Sequence, residues 1–405
     1  MQKKEHLNGL EVMRYLLGIY IVLYHTFNYE GMSKWLRVPV EMGFIATSSF
    51  FILSGFILSY VYLSGNGTSN IILKETKKSF ITKRLANLYP IHIFSLLFTL
   101  VVVYVVSVIQ ISPKDTLASI RYVMYDSNNY TPIEKLHHFM SNTEMFLAFL
   151  MNATLTQSWN PYYLTFNAPA WSISTLFFMY ILFPYIAPYL SKLKRPVLAL
   201  LITNLVYIAL PIIFIINSWF DMPFTGILNR NPIARLPEFI SGILLCNLYF
   251  YLKDRNIDLN SFKVRAYMIA FMSICFYLSS ILLHNPDWIT KEGNASYYLL
   301  HNGLILIPEC VLVLFFTTLK LPKSKILMWL GGASLPLFAL HIPIYLIFSR
   351  VELYVSGSNN ILFYPLFLLM VTIICILFQE KIVVRTRKKI LNLTIYRKDK
   401  KENVS

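Results

Sequence analysis

The chain has 405 residues, 56% of them hydrophobic and only 14% charged, with a formal net charge of +16. An ordinary soluble domain carries about 25% charged residues, so this composition excludes a soluble globular domain. Apolar runs of roughly 20 residues recur along the whole chain without the alternation of a closed barrel, which leaves an all-α membrane protein, a polytopic bundle of about ten transmembrane helices.

Spans are predicted over residues 10–28, 39–63, 88–111, 169–190, 196–216, 235–252, 266–283, 299–319, 331–349 and 361–379. The first, LEVMRYLLGIYIVLYHTF, carries Arg14 and His25 eleven residues apart. At 100° per residue that is about three turns, so both side chains share one face, roughly 16 Å apart along the axis. A charged residue at a bilayer centre costs about 2.5–3.5 kcal/mol, and such residues usually face a polar interior. The alternative is that Arg14 snorkels to the cytoplasmic end while His25 sits in the outer headgroup layer. In the second span, Ser54-Gly55 reads as a small-residue packing site rather than a nucleophile. Lys83 and Arg84 lead into the third span, with His92 just inside it.

A long outer segment, Ser112 to Ala168, follows. Its apolar stretch Met145 to Leu155 is too short to cross a bilayer and is predicted to lie in the interface, roofing an outer cavity. The fourth span opens on Trp171. The sixth opens on Arg235 and Glu238, three residues apart on one helix face. His301 and Glu309 fall in the eighth span and His341 in the ninth, where tying helices together is the simplest role. All four cysteines lie in apolar spans, with neither metal-type spacing nor a disulfide framework.

Lys and Arg crowd alternate loops: Lys3-Lys4, Lys74 to Arg84, Lys192 to Arg195, Lys253 to Arg265, Lys320 to Lys325, and everything after Lys381. The positive-inside rule then puts both termini in the cytoplasm. The same distribution accounts for the net charge without nucleic acid. Residues 1–390 form one transmembrane domain, and the basic tail 391–405 is suited to anionic lipid. In this orientation Arg14, Lys83 and Arg84 ring the inner mouth, suited to a phosphate-bearing ligand. A histidine above them could act as a general base.

Several stretches together resemble the acyltransferase-3 family of membrane acyltransferases. LEVMRYLLGIYIVLYH resembles its first-helix signature, SSFFILSGFIL its FFxLSGF element, and KRLANLYPIH its basic approach to the third span. APAWSISTLFFMYILFP resembles its WSL element, and RLPEFISGILL and ASLPLFALHIP resemble two later elements. The resemblance covers nearly the whole chain, in order. It implies an enzyme of a bacterial cytoplasmic (inner) membrane that moves an acyl group, commonly acetyl, from cytoplasmic acyl-CoA to a hydroxyl of surface polysaccharide, lipopolysaccharide or a similar extracytoplasmic acceptor, with no metal. It makes His25 and Arg14 catalytic; the basic inner mouth then puts Arg14, Lys83 and Arg84 on the acyl-CoA, and the outer cavity leaves Arg235, Glu238 and Trp171 to the acceptor side, with an interfacial anchor as the other reading of Trp171. Two positions depart from the family pattern: Leu176 stands where the WSL element usually carries Glu, and Asn87 where a second Arg is common. Those departures keep two alternatives open, a polysaccharide or glycolipid exporter and a non-catalytic family member.

Overall fold

The computed structural model describes residues 6–27, 34–64, 71–112, 115, 119–125, 136–285, 288–289 and 295–402. Helices α1 (Asn8–Thr26), α2 (Lys34–Glu41), α3 (Phe44–Tyr62) and α4 (Lys77–Ile109) come first. The outer segment contributes α5 (Asn142–Ala153), and then come α6 (Trp171–Leu190), α7 (Pro196–Ile216), α8 (Phe224–Arg230), α9 (Leu236–Asp254) and α10 (Phe262–His284). The chain finishes with α11 (Ala295–Leu299), α12 (Leu306–Thr317), α13 (Lys325–Ser356), α14 (Tyr364–Phe378) and α15 (Val384–Glu402). Strand structure among the described residues is confined to two small antiparallel hairpins, β1 (Leu63–Ser64) with β2 (Ile72–Leu73) and β3 (Tyr122–Met124) with β4 (His137–Phe139). The protein is an all-α, multi-pass membrane protein.

Seven of these helices are long and apolar enough to cross a bilayer: α3, α4, α6, α7, α10, α13, and α14 running on into α15. The bent pair 295–304 and 306–317 would make eight. The count is lower than the expected ten because α1 and α9, each 19 residues long, are not apolar enough. They are the two helices that carry Glu11 and Arg14, and Glu238. The helix through Val384–Glu402 also runs across the tail boundary expected at residue 391.

The centre of the bundle is α3, 83% buried over its apolar window, whereas α10 is only 11% buried and faces outward. Close approach of α3 to α9 depends on glycine: a Cβ on Gly55 would lie 2.2 Å from the Phe239 carbonyl oxygen, and one on Gly242 would lie 1.9 Å from that of Ile52. Ser54 is buried and donates to the Phe50 carbonyl at 2.8 Å, so this pair serves packing, as membrane helices commonly use small residues. On the other side, α1 lies along α13, which also touches α4 and α14.

Two interruptions of regular helix shape the interior. At Asn302 and Gly303 the chain leaves helical geometry, with Gly303 at φ +156°, where an added Cβ would meet Ile208 at 2.8 Å. Backbone groups freed inside a membrane must find partners. The His301 carbonyl accepts from Arg235 Nη1 and from the Tyr207 hydroxyl, both at 3.3 Å. In α13, Pro343 lacks the N–H that would reach the Ala339 carbonyl, and the Asn167 side-chain amide donates to that oxygen at 2.7 Å.

The outer segment folds as a cap. A capping box of Ser141 and Glu144 starts α5, whose Phe146, Leu147, Phe149 and Leu150 stay exposed. His92, fully buried in α4, holds its end through a 2.7 Å bond from Nε2 to the Asn152 carbonyl. That is a structural contact.

Candidate functional site

Arg14 and His25 both belong to α1, at its two ends, as the helical spacing demands. At the upper end, His25 Nδ1 lies 3.0 Å from His341 Nε2. The rings are nearly parallel, at 19° with centroids 5.0 Å apart, a separation that suits rings joined edge to edge by an N–H···N bond. His341 is fully buried, and its Nδ1 lies 2.7 Å from the Leu337 carbonyl oxygen. A carbonyl only accepts, so His341 Nδ1 carries the proton, and in the neutral ring Nε2 is then a lone pair. His25 Nδ1 must donate to it. That leaves His25 Nε2 with its own lone pair, on a ring that is exposed.

The pair depends on two helices far apart in sequence. Packing of α1 along α13 brings residues 25 and 341 together, and Thr26 anchors the end of α1 through its hydroxyl, 2.7 Å from the Tyr364 hydroxyl. Leu176, which stands where the WSL element usually carries Glu, is 1% exposed in the apolar core. The orienting contact is a second imidazole.

At the lower end, Arg14 Nη1 is 3.3 Å from Glu11 Oε2, and both side chains are only partly covered. Arg84 donates to the Tyr62 hydroxyl, with its guanidinium 4.9 Å from that ring's centroid. Tyr180 of α6 lies within the electrostatic reach of both Arg84 and Arg14, and its hydroxyl hydrogen-bonds Ser54. Lys83 is engaged differently, in an ion pair with Glu75. Trp171, half-buried at the start of α6, turns its edge to Phe51, ring centroids 6.2 Å apart.

Arg235 and Glu238 form the expected ion pair, 2.9 Å long, but both side chains are 0% exposed. Arg235 also reaches His301 Nδ1 and Ser48 Oγ, each at 2.7 Å, and Tyr207 donates to Glu238 Oε1 at 2.7 Å. Asn302 Nδ2 closes the group on Tyr207 and the Leu228 carbonyl. Glu309, 1% exposed, interacts with the charges of Glu238 and Arg235. This network sits around the break at Asn302–Gly303 and satisfies its backbone, so these residues are enclosed away from any open surface rather than lining the outer cavity.

Tyr180 was not singled out by the sequence reading, and His341 was noted there but not paired with His25. Each stands inside a stretch already noted, FFMYILFP and ALHIP, and a polar group in an apolar run was the available signal. Among the described residues no group of His, Cys, Asp and Glu could hold a metal ion.

A family profile described as an acyltransferase domain matches residues 7–380, a stretch that contains both ends of this arrangement. Among curated proteins and among solved structures, nothing matches the chain.

Proposed function

Because the chain belongs to the acyltransferase-3 family, and is therefore a membrane acyltransferase, we propose that it moves an acyl group, acetyl in the simplest case, from acyl-CoA on the cytoplasmic face to a hydroxyl of an extracytoplasmic glycan. The observation that carries the proposal is the exposed His25 ring, one nitrogen committed to His341 and the other left as a base.

In this reading the donor enters from the basic end. Arg14 and Arg84 meet the phosphates of CoA, for which guanidinium is well matched; Glu11 holds the first guanidinium and Tyr62 the second. The pantetheine arm runs up α1 and carries the thioester toward His25. The acceptor oxygen attacks the thioester carbonyl while His25 Nε2 takes its proton. The C–O bond forms, the C–S bond breaks, and the CoA thiolate leaves with the proton returned from the imidazolium. Direct transfer fits because Ser54, the one hydroxyl in the SGF stretch, donates to a carbonyl and has no base beside it. Lys83, held by Glu75, belongs to the rim of the inner mouth, and Trp171 to the acceptor side. Arg235 and Glu238 act through the fold.

The test uses the purified protein in sealed vesicles supplied with labelled acetyl-CoA on the cytoplasmic face. His25→Ala should lower thiol release by roughly 10²–10⁴-fold with an unchanged melting temperature. Equal release by wild type and His25→Ala would rule out the mechanism, and a wild type that neither binds nor turns over acetyl-CoA would favour export or a non-catalytic role.

A further inference from the structure

At the end of α4 away from its basic first turn, the outer segment folds over a cavity of about 350 Å³. Its walls include Thr99 and Val103 of α4, Tyr122 and Tyr125 of the outer hairpin, and Phe166, with Arg230 on the inner side. We propose that this cavity is a carbohydrate subsite that holds one pyranose ring of the acceptor; the proposal rests on the acyl-transfer reading above.

The volume lies at the small end of ligand-binding cavities, as suits one sugar ring rather than a lipid chain. Its lining mixes aromatic faces with hydrogen-bonding groups. Flat rings suit the C–H faces of a pyranose, and an arginine fork and hydroxyls suit its rim of oxygens. Arg230, 1% exposed, is anchored by a 2.9 Å bond from Nε to the Asn160 carbonyl. Thr99 donates to the Ser95 carbonyl at 2.7 Å, which directs its remaining capacity to accepting.

The aromatic wall is braced in advance. Tyr122 lies on His137 with centroids 4.9 Å apart, Tyr125 lies on His138 at 5.3 Å, and Tyr125 bridges to Tyr163. Phe166 is held at φ +57°, a left-handed conformation that a bulky residue rarely adopts. Such strain persists only where neighbours over-determine it. Here the neighbours are Thr165, which accepts from Asn152 at 2.8 Å, and Asn167, which donates to Ala339. That last bond ties the cavity wall to the helix that carries His341: Phe166 and Ala168 line the cavity, Asn167 lies between them, and Ala339 belongs to α13. The cavity and the histidine pair are joined by one stretch of chain.

The test measures the melting temperature of the purified full-length protein against methyl glycosides of common hexoses, deoxyhexoses and N-acetylhexosamines. At least one glycoside should raise it in a saturable way, and equally in His25→Ala. Val103→Trp, which fills the cavity, should abolish the shift, and Tyr125→Ser should weaken it about tenfold in half-saturating concentration. Tyr125→Phe, and Val101→Trp on the outward face, should retain it. A wild type indifferent to every glycoside, or a shift that survives Val103→Trp, overturns the subsite. The acetyl-CoA assay reads the parent proposal separately: a saturable shift without His25-dependent thiol release would leave the subsite standing and remove acyl transfer, and the reverse result would do the opposite.

Discussion

His25 and His301 each sit on a membrane helix with a second polar side chain against Nδ1, and there the likeness ends. His301 accepts a hydrogen bond from Arg235 at Nδ1, is 5% exposed, and lies in a sealed network around a helix break. His25 donates a hydrogen bond from Nδ1 to His341, and its side chain is exposed. Polar residues inside a bilayer are expensive whatever they do, so their presence alone does not mark chemistry. The difference lies in what is left over. Where a ring is enclosed and its partners are backbone freed by a broken helix, the cluster holds the fold. Where one nitrogen is fixed and the other is free and accessible, the ring can move a proton.

The most severe way to test that division is to remove the sealed charge. Arg235→Leu leaves Glu238 buried without its cation and the His301 carbonyl short of a donor. Loss of one partner of such a pair is worth about 3–5 kcal/mol, so the variant should melt far below wild type or fail to survive extraction. A wild-type melting temperature would show that the network is not a clamp. His341→Ala should divide the other way, with stability little changed and thiol release down roughly ten- to a hundredfold, as for partners that fix an imidazole tautomer elsewhere. His341→Gln, whose amide oxygen can still accept from His25 Nδ1, should recover part of the rate, and equal rates for both variants would argue that His341 only fills space.

The smallest effect concerns a contact outside the spans. Asp115 accepts from Arg350 Nε at 3.2 Å and Nη2 at 2.5 Å, and from the Ser112 N–H at 2.9 Å. Burial by itself pushes its carboxyl up, but these bonds and the arginine charge outweigh it and hold the carboxyl below its ordinary range. A depressed carboxyl stabilises the fold above its unfolded value, near about 4, and loses that contribution as pH falls through the folded value. The melting-temperature gap between wild type and Asp115→Asn should therefore be constant at neutral pH and shrink on acidification below about pH 4. A gap that widened would reverse the assignment.

How far the sequence could be read depended on whether a feature is local. Arg14 and His25 share a helix, so their spacing alone put them on one face. Arg235 and Glu238 likewise had to meet across one turn, but their enclosure depends on Tyr207, Ser48 and Asn302, which come from other segments, and periodicity says nothing about that. His341 is 316 residues from His25, and no local pattern pairs them. The sequence counted ten spans and only seven or eight helices are apolar enough to cross a bilayer; the difference falls on α1 and α9, where polar residues lower the apolarity by which a span is recognised.

The bond between His25 and His341 also works as a gauge. A slide of α1 past α13 by a single residue would displace the rings by about 1.5 Å, and a slide of one turn by about 5.4 Å, well beyond the reach of an N–H···N bond. Any signal sensitive to proton sharing between the two imidazoles, such as their nitrogen chemical shifts, would report how these helices are set against each other at each stage of turnover, with no label added to the protein.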